Sequence, residues 1–189
     1  EILNKSVTLE FSNEKKDKYG RVLAYVYCKG ENINLKLIEN GLANPYFPSG
    51  KDKYYDEFFS AWETCVRENK EDSLCEKSLD NCSRCILFDK LDVKGQEVIF
   101  KNICSYNCSL NNWSVEDEGR RVFNFPESTL ILAESNLSLI VSSEEQKNTN
   151  QIIYWKRKSP VWTKSGDTLF LRDAGSRLVL WENYSNLGL

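Results

Sequence analysis

Hydrophobic positions follow two different rhythms along this chain. Residues 7–11 alternate, which places Val7, Leu9 and Phe11 on one face of a strand. Residues 12–18 are charged and predict a hairpin loop, and residues 22–28, rich in Val, Tyr and Leu, predict a second strand. Lys29-Gly30 punctuates a turn. Residues 34–40 then predict a short helix, with Gly41 placed for the left-handed residue that ends one. Pro45, Pro48 and Gly50 mark a loop. From 51 to 68, apolar side chains at Tyr54, Tyr55, Phe58, Phe59, Trp62, Cys65 and Val66 return at helical spacing and form one broad face.

Residues 70–83 are charged, contain serine and carry few apolar side chains, so the linker is placed at 71–83, between a first module at 1–70 and a second at 84–189. Beyond the linker, short apolar stretches recur with turn residues between them: 86–88, 98–100, 113–115, 122–125, 130–132, 137–141, 168–171 and 178–181. That spacing predicts an all-β sandwich of roughly seven to nine strands. Residues 142–151 form a polar loop near its middle.

Composition narrows the chemistry. The chain has 189 residues, enough for one or two small cores, and two modules fit that length. A net charge of −3 gives no general affinity for a polyanion, so any nucleic-acid contact has to come from local patches. No apolar run approaches the roughly 18 residues that a membrane-spanning helix needs, and no signal peptide is evident. There is no His, which excludes Ser-His, Cys-His and His-ligated metal chemistry. Met is also missing, as expected of a trimmed or processed chain. Seven cysteines are many for a reduced cytosolic protein of this size. Six Asn-x-Ser sequons, at Asn4, Asn81, Asn107, Asn112, Asn136 and Asn183, point the same way, to an extracellular or cell-surface location.

Residues 17–26, Asp-Lys-Tyr-Gly-Arg-Val-Leu-Ala-Tyr-Val, followed by 34–43, Asn-Leu-Lys-Leu-Ile-Glu-Asn-Gly-Leu-Ala, resemble the second-half signature of the thermonuclease (staphylococcal-nuclease-like) family. The resemblance implies a calcium-dependent phosphodiesterase of low sequence specificity that cuts DNA and RNA, single- or double-stranded. It also implies a partial OB-fold: two strands plus helices, the order left when three strands of a five-stranded barrel are removed. Arg21 would be the catalytic arginine, donating to the scissile phosphate, a role that a planar guanidinium of high pKa suits. Lys18 and Tyr19 would lie beside the nucleotide, and Tyr46 falls near the family's base-stacking tyrosine. A Tyr46 packed on the following helix is the alternative. The calcium-holding carboxylates of the family have no counterpart here; Glu10, Asp17 and Glu57 do not fall in its metal motif. The expectation is that the metal-binding half lies upstream of Glu1, that the module alone is inactive and poorly stable, and that another segment completes it.

The second module resembles the lamin-tail domain, an immunoglobulin-like sandwich. The residues that carry this are 97–102 (Glu-Val-Ile-Phe-Lys-Asn), 110–117 (Leu-Asn-Asn-Trp-Ser-Val-Glu-Asp), Phe125-Pro126 and 165–173 (Ser-Gly-Asp-Thr-Leu-Phe-Leu-Arg-Asp). Thermonuclease and lamin-tail modules occur fused in prokaryotic, often exported, nucleases. The resulting expectation is a mainly β chain, partial OB-fold then lamin-tail-type sandwich, either a portion of a nuclease or a non-catalytic module whose sandwich contacts nucleic acid, protein or cell envelope.

Two further constellations remain open. Cys82-x-x-Cys85 and, eighteen residues on, Cys104-x-x-x-Cys108 have nearly the spacing of a four-thiolate zinc site, or they form two disulfides. Cys75 pairs with Cys65 or with a linker cysteine, and Cys28 reads as a buried thiol. Lys156, Arg157 and Lys158, set between Tyr154-Trp155 and Trp162, form either a nucleic-acid or anionic-surface contact or a solvated loop beside a core Trp. Asp117, Glu118 and Asp167 offer calcium-friendly oxygens without EF-hand spacing and read as turn residues.

Overall fold

The computed structural model describes residues 2–12, 15–16, 20–47, 50–119, 121–164 and 166–184. The chain divides into two compact units, Glu1–Glu76 and Lys77–Leu189.

In the first unit, β1 (Thr8–Glu10), β2 (Tyr25–Cys28) and β3 (Glu31–Asn32) form an antiparallel sheet in the order β1-β2-β3. Both strands are shorter than the apolar pattern predicts. Val22 meets Lys16 only through an isolated bridge, because Gly20, at φ 79°, turns the chain just before it. Helix α1 (Ile33–Glu39) starts where Asn32 accepts a hydrogen bond from the Leu35 amide at 3.2 Å, an N-cap. Asn40 caps its end. Gly41 follows at φ 62°, and a Cβ there would lie 2.6 Å from Ser73 Cβ, so both the backbone angle and the close approach require glycine.

Helix α2 (Tyr55–Glu68) begins four residues later than its apolar pattern suggests. Asp52 holds the preceding turn: its carboxylate accepts from the Tyr54 amide at 2.9 Å and its carbonyl from the Tyr55 amide at 3.2 Å. The buried side chains Tyr55, Phe58, Phe59, Trp62 and Cys65 form one helical stripe. Residues 71–76, expected as linker, are fastened to this unit by the Cys65–Cys75 disulfide and by the Leu74 amide donating to the Gly41 carbonyl. Residues 77–83 belong to the second unit, where the Ser78 amide donates to the Leu178 carbonyl and its hydroxyl to Asp173.

The second unit is two four-stranded sheets around one core. It contains β4 (Ile86–Asp92), β5 (Glu97–Asn102), β6 (Cys108–Ser109), β7 (Ser114–Asp117) and β8 (Val122–Asn124). These are followed by β9 (Leu130–Ile131), β10 (Asn136–Ser142), β11 (Ile152–Lys156), β12 (Thr168–Arg172) and β13 (Leu178–Asn183). One sheet runs β11-β10-β5-β4 and the other β13-β12-β7-β8, with β6 and β9 paired separately. Every pairing is antiparallel except β10 with β11. Val98, Phe100, Leu137, Leu139, Ile153 and Trp155 from the first sheet share a core with Val115, Leu169 and Leu171 from the second. All eight predicted stretches appear as strands. β6 and β11 are additional; β11 lies partly in the expected basic cluster, but its burial alternates through Ile153 and Trp155 as a strand's does.

Candidate active site

Arg21 is exposed, one residue after the Gly20 turn and four before β2. The geometry there is set by a narrow hairpin: Lys16 bridges Val22, and the Leu23 amide donates to the Lys15 carbonyl at 3.0 Å. Asp17, Lys18 and Tyr19, two of them expected beside a nucleotide, lie outside the described residues.

Beside this hairpin is a cleft of about 350 Å³, with Leu23, Leu37, Ile38, Phe47 and Phe58 among its walls. Tyr46 is on its rim, 52% exposed. The Phe47 ring meets Tyr55, Phe58 and Phe59 at centroid distances of 5.1, 5.7 and 6.1 Å, so Phe47 fastens the loop to α2 beside Tyr46. Phe47 was not singled out from the sequence, although two consecutive aromatics between prolines carry the signal that one turns inward.

A polar network that sequence reasoning missed occupies the sheet face turned to α2. Glu10 on β1 is bound by the Lys53 ammonium and accepts from the Tyr54 hydroxyl at 2.9 and 3.0 Å. The Tyr27 hydroxyl donates to that of Tyr54 at 2.8 Å, and the Tyr25 hydroxyl donates to Asp52. The Lys53 and Tyr54 hydrogen bonds hold the Glu10 carboxyl below the usual carboxylate range, and Glu10 in turn raises the Lys53 ammonium. Tyr25 is pushed well above the ordinary phenol range by burial and by Asp52. The period-two alternation of β1 and β2 was the available signal, since it puts Glu10, Tyr25 and Tyr27 on one face.

This network also bears on calcium. Glu10 and Asp52 spend their oxygens on Lys53, on tyrosine hydroxyls and on backbone amides. Among the described residues, no group of three or more Cys, Asp or Glu side chains is placed to share a metal ion. The carboxylates described in this unit therefore do not fit a calcium site, and no step of chemistry is derived through one.

In the second unit the four cysteines read as either zinc ligands or disulfides form two disulfides, Cys82–Cys108 and Cys85–Cys104. Sulfurs in such bonds present no thiolate, which replaces the zinc alternative for Cys82, Cys85, Cys104 and Cys108. Cys28 is a buried free thiol. The basic cluster is corrected in part as well. Trp155 and Trp162 are core residues, 5% and 1% exposed, and offer no stacking platform to a base. Lys156 pairs with Glu145 at 2.8 Å, the Arg157 guanidinium lies 5.7 Å from the Trp155 ring centroid, and Lys158 is exposed.

The acidic residues near the start of β12 are not an open cation site either. Asp117 pairs with Arg121 at 2.6 Å, Glu118 accepts from the Thr168 hydroxyl at 3.0 Å, and Asp167 accepts from the amides of Thr168 and Glu118. Burial, then Glu118 and Asp117, push the Asp167 carboxyl up to about 8.

The comparisons with known proteins bear on the first unit. Residues 1–72 match the family described as Staphylococcal nuclease homologue. The Thermonuclease of Staphylococcus intermedius is 49% identical over 53 residues, which are 28% of this chain and 32% of that protein. Endonuclease YncB of Bacillus subtilis is 41% identical over 61 residues, 31% of this chain and 29% of its own. An uncharacterised protein of Methanocaldococcus jannaschii is 40% identical over 76 residues, 37% of this chain and 35% of its own. The chain spans about a third of the length of these curated relatives. No helix among the described residues is long and apolar enough to cross a membrane.

Proposed function

We propose that the first unit is a portion of a calcium-dependent phosphodiesterase of the thermonuclease type, acting on DNA or RNA with low sequence specificity. The observation that carries this reading is the match of residues 1–72 to the nuclease family, with Arg21 standing exposed at a tight hairpin beside an open cleft. Arg21 donates its paired N–H groups to a phosphate oxygen and offsets the charge that grows there as the bond breaks, a contribution of about 2.7–4 kcal/mol for one such donor. Lys18 and Tyr19 flank the phosphate. Tyr46, on the cleft rim, stacks on a base of any identity. The metal and its carboxylates lie outside these 189 residues, so the chain alone does not cut.

The second unit is read as a lamin-tail-type sandwich that tethers or positions the enzyme outside the cell; its two sheets over one core and three disulfides in the chain support that reading. Contact with an anionic surface or nucleic acid would run through Lys158, with Lys156 and Arg157 beside it. A second reading, a non-catalytic binding module, is favoured by one observation: the described carboxylates do not converge on a metal.

The test is cleavage of a quenched single-stranded oligonucleotide by the intact full-length protein and by its Arg21→Ala variant, with calcium or with chelator. Calcium-dependent cutting that falls about 100- to 1,000-fold in the variant is the expected result. Equal rates for the two proteins would remove Arg21 from the chemistry, and no cutting by either would favour the module.

A further inference from the structure

Five of the six Asn-x-Ser sequons fall in the second unit, at Asn81, Asn107, Asn112, Asn136 and Asn183, and the fold treats them unequally. An oligosaccharyltransferase needs the Asn amide nitrogen and the hydroxyl two residues on within its reach together. Asn183 spends that nitrogen on the Thr168 hydroxyl, at 2.9 Å. Asn112 is exposed at a turn, but its Ser114 is buried at the start of β7. Ser83, in the Asn81 sequon, donates its hydroxyl to the Asp80 carbonyl at 2.7 Å. Ser138, in the Asn136 sequon, is held in the middle of a sheet, paired to β5 on one side and β11 on the other.

Asn107 differs from these four. It leads into β6, a two-residue strand paired with β9. The period-two alternation sends Cys108 into the core and into its disulfide with Cys82, while Asn107 and Ser109 are both exposed. The Asn107 side-chain oxygen accepts from the Ala133 amide at 3.0 Å. That bond fixes the side chain and leaves Nδ2, the atom that takes a sugar, outside it. The Ser109 hydroxyl accepts from the Asn111 amide at 3.4 Å and keeps its own proton to donate. Close by, Ile103, Tyr106 and Leu132 are 49, 42 and 40% exposed. Asn102 gathers them by donating to the Tyr106 and Leu132 carbonyls, so they form an apolar patch beside the acceptor amide.

We propose that Asn107 is the N-glycosylation site of the second unit, and that its oligosaccharide shields the patch of Ile103, Tyr106 and Leu132. Asn107 Nδ2 bonds to the anomeric carbon of an oligosaccharide carried on a lipid phosphate or pyrophosphate. The bond from that carbon to the phosphate oxygen breaks, the phosphate leaves with the electron pair, and the amide gives up one proton. An attached glycan is bulky and solubilising, which suits exposed apolar side chains that would otherwise meet water. Donor and transferase act outside the cytosol, so the inference rests on the reading of this unit as extracellular.

The experiment takes the full-length protein from its own cells, alkylates free thiols without reduction, and maps the peptides by mass spectrometry. A sugar mass is expected on the Asn107 peptide and none on the Asn112 or Asn183 peptides, with the cysteines of the three disulfides unlabelled. Ser109→Ala, which leaves Asn107 and its bond to Ala133 in place, should abolish the sugar mass, and Ser109→Thr should keep it. A bare Asn107 in a protein whose disulfides are closed would overturn the proposal and leave the extracellular reading standing. A bare Asn107 with labelled cysteines would sink both. Occupancy of Asn112 and Asn183 equal to that of Asn107 would also overturn it, since the motif without the fold would then decide. So would a sugar mass that survives Ser109→Ala.

Discussion

Two strands of similar composition meet opposite fates in this molecule. On β5, Val98 and Phe100 are fully buried between two sheets; on and beside β1, Val7, Leu9 and Phe11 present the same alternation to solvent. The local pattern is equally good in both. The difference is whether a second apolar layer exists to receive it: β7 and β12 of the facing sheet bring one to β5, whereas among the described residues of the first unit only the Glu10 face is covered, on the side of α2. Alternation thus predicts a strand and its two faces, and what covers each face depends on the rest of the fold.

The sharpest way to break this comparison is to truncate the same kind of residue on each side. Phe100→Ala should cost about 3–5 kcal/mol, because it opens a cavity in a closed core. The measurement is denaturant unfolding followed by exchange at Leu139 and Leu169. Next in size, Gly41→Ala should cost about 1–2 kcal/mol from the left-handed backbone alone, with the Ser73 approach adding to it, and should loosen α1 and Cys65–Cys75 while leaving the sandwich unchanged.

A pH profile gives a smaller and purely electrostatic contrast. The folded-state carboxyl of Asp167 sits at about 8, against an ordinary aspartate near 3.8 when unfolded. Its contribution is therefore fully present below pH ~4 and is lost as pH rises to about 8. Asp167→Asn, which does not titrate, should flatten the stability of the second unit across that window; an unchanged slope in urea titrations from pH 4 to 8 would refute the assignment. Smallest of all, Leu9→Ala should change the stability of the first unit by no more than about 0.5 kcal/mol, the behaviour of a surface position.

Much of this was legible in the residues. The α2 stripe, the Gly41 cap and the eight apolar stretches rest on local spacing, and the likeness to a nuclease family rests on the resemblance of residues 17–26 and 34–43 to its signature. Other features depended on long-range partners. Glu10 looks like any charged strand residue until Tyr54, forty-four positions away, is brought to it. The cluster around Lys156 read either as a contact surface or as a solvated loop beside a core Trp, and only the fold, in which β11 turns Trp155 into the core, decides for the second. The nested pairing of Cys82 with Cys108 and Cys85 with Cys104 needed the fold to choose it over a shared metal.

The central claim is that the first unit carries the arginine of a phosphodiesterase site and that the carboxylates for its metal come from elsewhere. Titration calorimetry of the 189-residue chain with calcium, up to millimolar concentration, tests it most directly. No stoichiometric binding is predicted. One calcium per chain, with its heat lost when Glu10 or Asp52 is replaced by the amide, would contradict the account.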